Sequence, residues 1–413
     1  MIIEIVSIGD ELLKGRIVNT NAAFLCRHLQ QAGYTVSRCT TLSDQTQLLE
    51  TGLKEVLARS DLVLSTGGLG PTIDDCTREI AAAIYGSDFH IDQALSNELR
   101  VRYPNRFDAV KDQARLPTKA KIVFNRVGSA PGLLFSEEGK TLILMPGVPA
   151  EMQPMFLEQV LPLMQERFVK QGKTKSVQLC FCIVYESLLD PHLRKAAQRY
   201  PEVEVGIYPA HGLLSVSLLS CNARQLAAFA GELRVQFGNY LYDAQSGRIE
   251  EALAAWFMKN HKTLALAESC TGGSIAGQIT SLAGASGYFL GAFVVYCNEM
   301  KEQMLGVSTQ TLAAKGAVSR EVVQEMLEGV FAKTRADYAI AVSGVAGPTG
   351  GTPDKPIGTI WAAIGQRGQP ADVGKFMAFG SRQTILQSAS NQLLGALWRK
   401  VEKGIPAFPL LDD

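Results

Sequence analysis

The 413-residue chain lacks the features that mark membrane, secreted and nucleic-acid-binding proteins. No apolar run reaches the roughly eighteen residues of a membrane span. The N-terminus MIIEIVSIGDELL carries acidic residues where a signal peptide would be cationic. The 40 basic residues are balanced by 40 acidic ones, so no positive field attracts nucleic acid or an anionic membrane. We therefore expect a cytoplasmic protein whose partners are neither nucleic acids nor membranes.

Metal-binding and disulfide patterns are also missing from the sequence. The eight cysteines show no C-x-x-C spacing, so neither a zinc site nor a disulfide framework is predicted. The thiols are expected to be reduced. The chain is long and rich in apolar residues, since 46% of its 413 residues are hydrophobic. A chain of this length exceeds what one ordinary hydrophobic core accommodates. Two or three domains are therefore expected.

Alternation of strand and helix patterns divides the chain into three predicted modules. Short β-branched runs alternate with helical stretches over the first 150 residues, which predicts parallel strands covered by helices. The next stretch has the pattern of a small α+β module, and α/β alternation then resumes. The fold class is therefore α/β, with predicted domains at residues 1–172, 173–243 and 248–405.

Each of three predicted N-terminal strands is followed by a loop whose residue types are suited to binding a ligand. Parallel strands end at one edge of a sheet, so the loops are expected to share a crevice, with glycine amides for phosphate and carboxylates for a divalent cation. A Gly-Gly-x-Gly run also occurs in ordinary tight turns, and adjacent aspartates also suit a helix start. The candidate nucleotide-binding residues are Gly9, Thr66, Gly67, Gly68, Gly70, Thr72, Pro146 and Gly147. The candidate metal ligands in these loops are Asp10, Asp74 and Asp75.

A second site is predicted near the hexapeptide ESCTGG. Ser269 stands just beyond the apolar run 263–267, and the glycines behind it favour a strand-to-helix turn that exposes a side chain and backbone N–H groups. Asn298 is a predicted N-cap, which places Lys301 at the third helical position with its side chain directed back toward the helix start. The dipole and burial both lower the pKa of a lysine there, and a neutral lysine can activate a serine.

Other interpretations of these residues stay open. Ser269 also suits the N-cap of the following helix, and an isolated lysine is usually only solvated. Cys270 is a rival nucleophile because thiolates form readily at helix N-termini. No histidine lies near Cys270 in the sequence to serve as its base. The loop 343–351, rich in small residues, is predicted to wrap a ligand with its N–H groups.

Several blocks of the chain resemble CinA proteins. IVSIGDELLKGRIVNTNAAFL, STGGLGPTIDDCT and LMPGVPAEM are similar to the N-terminal domain of that family, which in turn is similar to the molybdopterin-binding fold of MogA and MoaB. TLALAESCTGG, GASGYFLGAFVVYCNEMK, LGV, KGAVS and SGVAGPTGGTPDKPIGTIW resemble successive blocks of its C-terminal domain. The resemblance implies a three-layer α/β/α N-terminal domain and a C-terminal nicotinamide-nucleotide amidase domain, in a homodimer.

For the C-terminal domain, the resemblance implies hydrolysis of the carboxamide of nicotinamide mononucleotide to nicotinate mononucleotide and ammonia, without a cofactor. Ser269 would be the nucleophile and Lys301 the base and proton shuttle, while Tyr296 would position the lysine or the leaving amine. The residues implied as oxyanion donors are Thr271, Gly272 and Gly273. Those implied to line the phosphate or ribose are Ser343, Gly344, Gly347 and Arg382.

For the N-terminal domain, the resemblance implies, in some relatives, a metal-dependent ADP-ribose pyrophosphatase. Thr66 to Thr72 would surround phosphate, with Asp44 and Asp75 as acids for metal or catalysis. Three departures from the family pattern count against that activity: Gln45 follows Asp44, and Val184 and Tyr185 replace residues of a glycine-rich segment. The leading hypothesis is thus the amidase, beside a pyrophosphatase and a non-enzymatic pterin or nucleotide binder.

Overall fold

The computed structural model describes residues 1–72, 75–168, 175–242, 244 and 246–408. The chain divides into two compact units, residues 1–174 and 175–413, and each is described by itself. The predicted domain boundaries at 172, 173 and 243 lie outside the described residues. Among those that are described, no helix has the length and apolar character needed to cross a membrane.

The first unit is built on a six-stranded sheet of order β2-β1-β3-β8-β7-β6, with a separate pair β4-β5. Its strands are β1 (Ile3–Ile8), β2 (Val36–Leu42), β3 (Leu62–Thr66), β4 (Phe89–Ile91), β5 (Arg115–Pro117), β6 (Lys121–Val123), β7 (Gly132–Glu137) and β8 (Lys140–Met145). Its helices are α1 (Asp10–Leu13), α2 (Thr20–Gln31), α3 (Thr46–Arg59), α4 (Thr77–Ile84), α5 (Gln93–Arg102), α6 (Phe107–Val110), α7 (Pro149–Met155) and α8 (Leu161–Arg167).

Burial on both faces of the central strands explains the three layers. In β1, Ile5 packs in one core cluster with Leu25 of α2, whereas Val6 packs in another with Leu49 of α3. Strands β2, β1, β3 and β8 run parallel, and β7 and β6 are antiparallel to their neighbours. A π-helical segment at Phe156–Val160 separates α7 from α8. The α/β prediction for this unit is confirmed.

The second unit contains two sheets. An antiparallel sheet of order β10-β11-β9-β12 occupies the predicted α+β stretch, and a five-stranded sheet of order β14-β13-β15-β16-β17 follows. The strands are β9 (Lys175–Cys182), β10 (Glu204–Ala210), β11 (Leu213–Ser220), β12 (Leu241–Tyr242), β13 (Leu264–Glu268), β14 (Phe289–Val294), β15 (Tyr338–Gly344), β16 (Thr359–Gln366) and β17 (Asp372–Met377). The helices are α9 (Glu186–Arg199), α10 (Ala223–Phe237), α11 (Ile249–Asn260), α12 (Ser274–Thr280), α13 (Asn298–Leu305), α14 (Thr309–Lys315), α15 (Arg320–Lys333) and α16 (Arg382–Lys403).

Helix α16 joins the two sheets into one unit. The thiol of Cys182 on β9 donates to the backbone oxygen of Gly395 at 3.7 Å. The indole of Trp398 donates to the backbone oxygen of Leu241 on β12 at 2.8 Å. A Cβ on Gly395 would lie 2.6 Å from the Cβ of Cys182, so the glycine permits this close approach of helix and strand. The predicted small module therefore packs directly on the C-terminal helix.

The five-stranded sheet is parallel at its centre and antiparallel at one end. Glu268, the last residue of β13, pairs in parallel with Val294 of β14 and with Val342 of β15. Strands β16 and β17 are antiparallel, which departs from simple α/β alternation because no helix lies between β15 and β16 to carry the chain back. The carboxyl ends of β13, β14 and β15 therefore meet at one edge.

Two helical glycines provide a test of the packing around α13. A Cβ on Gly329 of α15 would lie 2.2 Å from the backbone oxygen of Leu305, the last residue of α13, whereas Gly231 of α10 has open space around its Cβ position. We expect Gly329→Ala to destabilise the protein by about 1–3 kcal/mol through overpacking. The matched Gly231→Ala should stabilise it by about 0.5–1 kcal/mol. Thermal unfolding followed by circular dichroism measures both, and equal effects would contradict the packing.

Candidate functional site

The turn after β13 lies at the meeting point of the three parallel strands. The N–H of Ser269 donates to the backbone oxygen of Val342 at 3.0 Å, and the N–H of Val295 donates to that of Glu268 at 2.8 Å. Ser269 is 7% exposed, and its Oγ makes no hydrogen bond within the described part of the chain. The carboxyl edge of parallel strands is where ligands bind in open α/β sheets. The Ser269 hydroxyl therefore lies at the edge where ligands bind, and no hydrogen bond within the described residues occupies it.

Glu268 is a residue of this turn whose role the sequence interpretation missed. Its side chain is fully buried, and the carboxylate accepts backbone N–H groups from Gly273 at 3.0 Å, Ile275 at 3.2 Å and Ala276 at 2.8 Å. Negative charge is stabilised at a helix start by the dipole and the unpaired amides. The available signal was an acidic residue at the end of an otherwise apolar strand.

The predicted set of oxyanion donors is reduced by these contacts. The Gly273 N–H is engaged by the Glu268 carboxylate, and the Gly272 N–H donates to the Ser269 backbone oxygen at 3.1 Å. The prediction that both glycine amides are free is therefore wrong, because the turn and the carboxylate use them. The Thr271 N–H is directed at the Cys270 thiol, on which it acts in the sense of a lower pKa. Among the described residues the Thr271 hydroxyl is buried without a partner.

Lys301 is fully buried, at 1% exposure, in the first turns of α13. Its Nζ donates to the backbone oxygens of Val295 at 2.9 Å, Tyr296 at 3.2 Å and Cys297 at 3.5 Å. The side chain therefore points back toward the helix start, as predicted. Burial lowers its pKa from the ordinary value, with the neighbouring thiols and Glu299 acting in the opposite direction.

The predicted helix cap is wrong by one residue. Cys297 is the N-cap of α13, with extended backbone, and its oxygen accepts the Lys301 N–H at 3.3 Å. Asn298 is the first helical residue, so Lys301 occupies the fourth helical position instead of the third. Asn298 was predicted as the N-cap because asparagine is a preferred residue at that position. In the structure no side chain caps α13. Lys301 and Ser269 form no hydrogen bond with each other in this structure.

Cys270 is a poorer candidate nucleophile than its position in the sequence indicated. Its side chain is 6% exposed, and burial raises the pKa of the thiol to about 12. The Glu268 carboxylate adds to that increase, while Lys301 opposes it. A thiol with so high a pKa is almost entirely protonated at neutral pH, and the thiolate is the reactive form.

The remaining predicted residues of this site fall into two groups. Arg382, at the start of α16, donates to the Tyr296 hydroxyl at 2.9 Å and to the backbone oxygen of Gly347 at 2.7 Å, so these three are brought together. Ser343 and Gly344 are the last two residues of β15, and Ser343 is buried. A Cβ on Gly344 would lie 3.1 Å from the Cys270 sulfur, so the end of β15 packs against the turn that follows β13.

The first unit brings its predicted loops around one cleft of about 460 Å³. Its lining includes most of the predicted nucleotide-binding residues and two of the predicted acids, together with Glu11 and Glu151, which were not predicted. The predicted residues that line it are Gly9, Asp44, Gly67, Gly68, Gly70, Thr72, Asp75, Pro146 and Gly147. The shared crevice expected from parallel strand ends is therefore present.

Thr66 lies beside that cleft, in a smaller one. Its hydroxyl donates to the backbone oxygen of Pro146 at 2.9 Å and accepts from the side-chain amide of Asn21 at 3.0 Å. The same amide donates to the backbone oxygen of Gly147 at 2.7 Å. Asn21, near the start of α2, was not predicted, although an asparagine at a helix start facing a loop was a usable signal. It fixes the loops by which β3 and β8 enter the cleft.

Gly67 and Gly68, in the loop after β3, are needed for backbone conformation and for close packing. Gly67 and Gly68 have φ of 114° and 67°, a region that favours glycine. A Cβ on Gly67 would lie 2.2 Å from the backbone oxygen of Ile8, and one on Gly68 would lie 2.0 Å from the Thr77 hydroxyl. These glycines are therefore required by the loop itself, whether or not phosphate is bound.

Two of the predicted metal ligands are in contact, since the Asp10 N–H donates to the Asp44 carboxylate at 3.1 Å. The Asp10 carboxylate binds the Lys14 ammonium and the Ser43 hydroxyl, both at 2.7 Å, which holds the pKa of that carboxyl below its usual range. The Asp75 carboxylate accepts from the N–H and hydroxyl of Thr72. Among the described residues no three His, Cys, Asp or Glu side chains are grouped for a metal ion, and Asp74 lies outside those residues.

The departures from the family pattern have ordinary surroundings. Gln45 precedes α3 and does not cap it with its side chain. In the second unit, Val184 is buried in the core of the α+β module, whereas Tyr185 is 63% exposed just before α9. Valine thus fills apolar space, and no charged or catalytic group is introduced by either residue.

Two family models match the chain. Residues 4–166 match a probable molybdopterin binding domain, and residues 247–401 match the CinA C-terminal domain. The chain is 38% identical over 381 residues to a putative competence-damage inducible protein of Symbiobacterium thermophilum, covering 89% of each chain. It is 36% identical over 389 residues to a CinA-like protein of Thermotoga neapolitana, covering 92% of this chain and 93% of that one.

Among solved structures, the competence damage-inducible protein A of Klebsiella pneumoniae is 37% identical to the matched part of the chain. It covers 37% of this chain and 94% of its own, with a TM-score of 0.36.

The corrected helix start can be tested by substitution. Asn298→Ala should change the free energy of unfolding by less than about 0.5 kcal/mol, because the asparagine caps nothing. Ser319 is a matched control, since its hydroxyl accepts the Val322 N–H and caps α15. Ser319→Ala should cost about 1 kcal/mol. Urea unfolding measures both, and a larger loss for Asn298→Ala than for Ser319→Ala would restore Asn298 as the cap.

Proposed function

Because the chain belongs to the CinA family, we propose that its C-terminal domain hydrolyses the carboxamide of nicotinamide mononucleotide to nicotinate mononucleotide and ammonia. The observation that carries this proposal is the placement of an unengaged serine and a fully buried lysine at adjoining strand ends. Ser269 follows β13, and the Lys301 Nζ binds the backbone oxygen of Val295, whose own N–H binds Glu268. A serine with a desolvated lysine is a known arrangement for acyl transfer.

The contacts of Lys301 are compatible with a general base. A neutral amine has two N–H donors and one lone pair, so it can keep the shorter contacts to Val295 and Tyr296 and turn its lone pair toward Ser269. Burial favours that neutral form. Catalytic hydrogen bonds are often long before substrate binds, and the missing contact to Ser269 would form in the substrate complex.

The reaction then proceeds in two steps. Lys301 accepts the proton of Ser269 as the hydroxyl oxygen attacks the amide carbon, and it returns that proton to the departing nitrogen, which leaves as ammonia. The acyl-serine is hydrolysed by water whose proton passes to the same lysine, which regenerates the hydroxyl and releases the acid. The Thr271 N–H faces only the weakly accepting Cys270 thiol, and it is the donor that would turn to the oxyanion. The Arg382 guanidinium, beside Tyr296, supplies positive charge for the substrate phosphate.

Substitution of the nucleophile tests this proposal. Ser269→Ala should reduce ammonia release from nicotinamide mononucleotide to background while thermal unfolding is unchanged, since a methyl fits where the hydroxyl makes no bond. Cys270→Ala is the matched control and should retain most of the activity. Full activity in folded Ser269→Ala would exclude the serine, and loss confined to Cys270→Ala would assign the reaction to the thiol.

For the N-terminal unit we propose binding of a phosphate-bearing nucleotide, favoured by the cleft in which three strand-end loops meet. Two alternatives for the chain are a metal-dependent ADP-ribose pyrophosphatase and a non-enzymatic pterin or nucleotide binder. Among the described residues no three His, Cys, Asp or Glu side chains are grouped for a metal ion. Of these alternatives we favour binding without hydrolysis, on the strength of the cleft and its glycine-rich loops.

A chelator separates these activities. We expect ADP-ribose to bind saturably in isothermal titration, without conversion to AMP and ribose 5-phosphate in the presence of Mg²⁺ or Mn²⁺. Ammonia release from nicotinamide mononucleotide should be the same with and without EDTA, because the proposed mechanism uses only protein groups. Cleavage of ADP-ribose that EDTA stops would instead establish the pyrophosphatase.

A further inference from the structure

Glu268 is an unusual group to bury beside a nucleophile. It is a fully buried carboxylate, and its hydrogen-bond donors among the described residues are uncharged backbone N–H groups of Gly273, Ile275 and Ala276. A buried charge needs such compensation to be tolerated. The N-cap of α12 is Gly273, which has no side chain to cap the helix. The strand residue before the turn therefore provides the cap.

This contact closes the nucleophile turn on itself. At one end, the backbone of Glu268 is fixed in the sheet, where its oxygen accepts the Val295 N–H. At the other end, its carboxylate holds Gly273, where the chain enters α12. Ser269 lies within the short loop that these two contacts bound. The Glu268 side chain is thus the contact that ties the Ser269 turn to the start of α12.

The same carboxylate acts on the rival thiol. Cys270 lies in a turn that leads to a helix start, a position that ordinarily favours a thiolate. Here the first amides of α12 are occupied by Glu268, and the carboxylate charge opposes a second negative charge nearby. The charged groups that act on Cys270 are Glu268 and, in the opposite sense, Lys301 of α13.

We propose that Glu268 is a positioning residue that selects Ser269 over Cys270 as nucleophile, by occupying the amides at the start of α12. The inference rests on the proposed amidase function for the reaction that Ser269 performs. Its effect on Cys270 does not depend on any substrate, so the two ideas can fail separately.

Alkylation of Cys270 by iodoacetamide, followed by peptide mass spectrometry, tests the selection. In Glu268→Gln the charge is removed while the shape is kept, so the thiolate fraction of Cys270 should rise and its labelling rate should increase at least about tenfold, the equivalent of one pKa unit. Ammonia release should fall at least about tenfold. Glu250→Gln is the matched control, because Glu250 is 6% exposed on α11 and pairs with Arg248 away from the turn.

Two internal reporters distinguish selection from loosened packing. Cys180 and Cys182 are buried on β9, outside the turn. If they become labelled as fast as Cys270 in Glu268→Gln, the role of Glu268 is only structural and the proposal is overturned. Unchanged labelling of Cys270 in the folded variant also overturns it.

A second variant and the wild type keep the test decisive if Glu268→Gln does not fold. Glu268→Asp retains the charge but is one methylene shorter, so Cys270 should stay unreactive while ammonia release falls. Faster labelling of Cys270 in Glu268→Asp contradicts the proposal. In the wild type, exposed Cys297 should be labelled at pH 8 and Cys270 should not. Equal labelling of the two would contradict it, whereas a wild type without ammonia release refutes only the amidase.

Discussion

The contact between the Glu268 carboxylate and the amides that begin α12 is the constraint on which the candidate site depends. It satisfies a fully buried carboxylate, it caps a helix whose N-cap residue is a glycine, and it ties the Ser269 turn to that helix. The cost of burying that carboxylate is offset only if the helix starts where it does. The position of Ser269, the proposed nucleophile, is therefore linked to the packing of α12.

Lys301 is buried at the same edge of the sheet by a similar device. Within the described part of the chain, neither it nor Glu268 is paired with an oppositely charged side chain. Each is satisfied by backbone groups, carbonyls for the ammonium and amides for the carboxylate. A direct ion pair would hold the lysine protonated, because an opposite charge favours the charged form. Separate backbone partners leave Lys301 free to lose its proton without leaving a buried charge unpaired. The segment after β14 supplies the carbonyls, and the start of α12 supplies the amides.

In the sheet of the first unit, the sequence predicted the central strands better than the strands toward its two edges. Apolar β-branched runs identified β1, β3 and β8, and the family resemblance carried by the motif blocks is confirmed. Strand β2, VSRCTTL, was missed because an edge strand with mixed exposure has no clear apolar run. The direction of the Lys301 side chain followed from helix geometry alone. That the Gly272 and Gly273 N–H groups are already hydrogen-bonded could not be predicted. It depends on where the Glu268 carboxylate and the Ser269 carbonyl lie in space.

The two sites differ in what their glycines demonstrate. Gly67 and Gly68 are held by steric need, since a Cβ on either would collide with Ile8 or Thr77. Such a loop would require glycine even without a ligand, so its composition is weak evidence for phosphate. Gly272, by contrast, has open space around its Cβ position and a φ of 61°, so conformation alone accounts for it. The stronger evidence in each unit is therefore the convergence of loops from separate strands, which no local steric need explains.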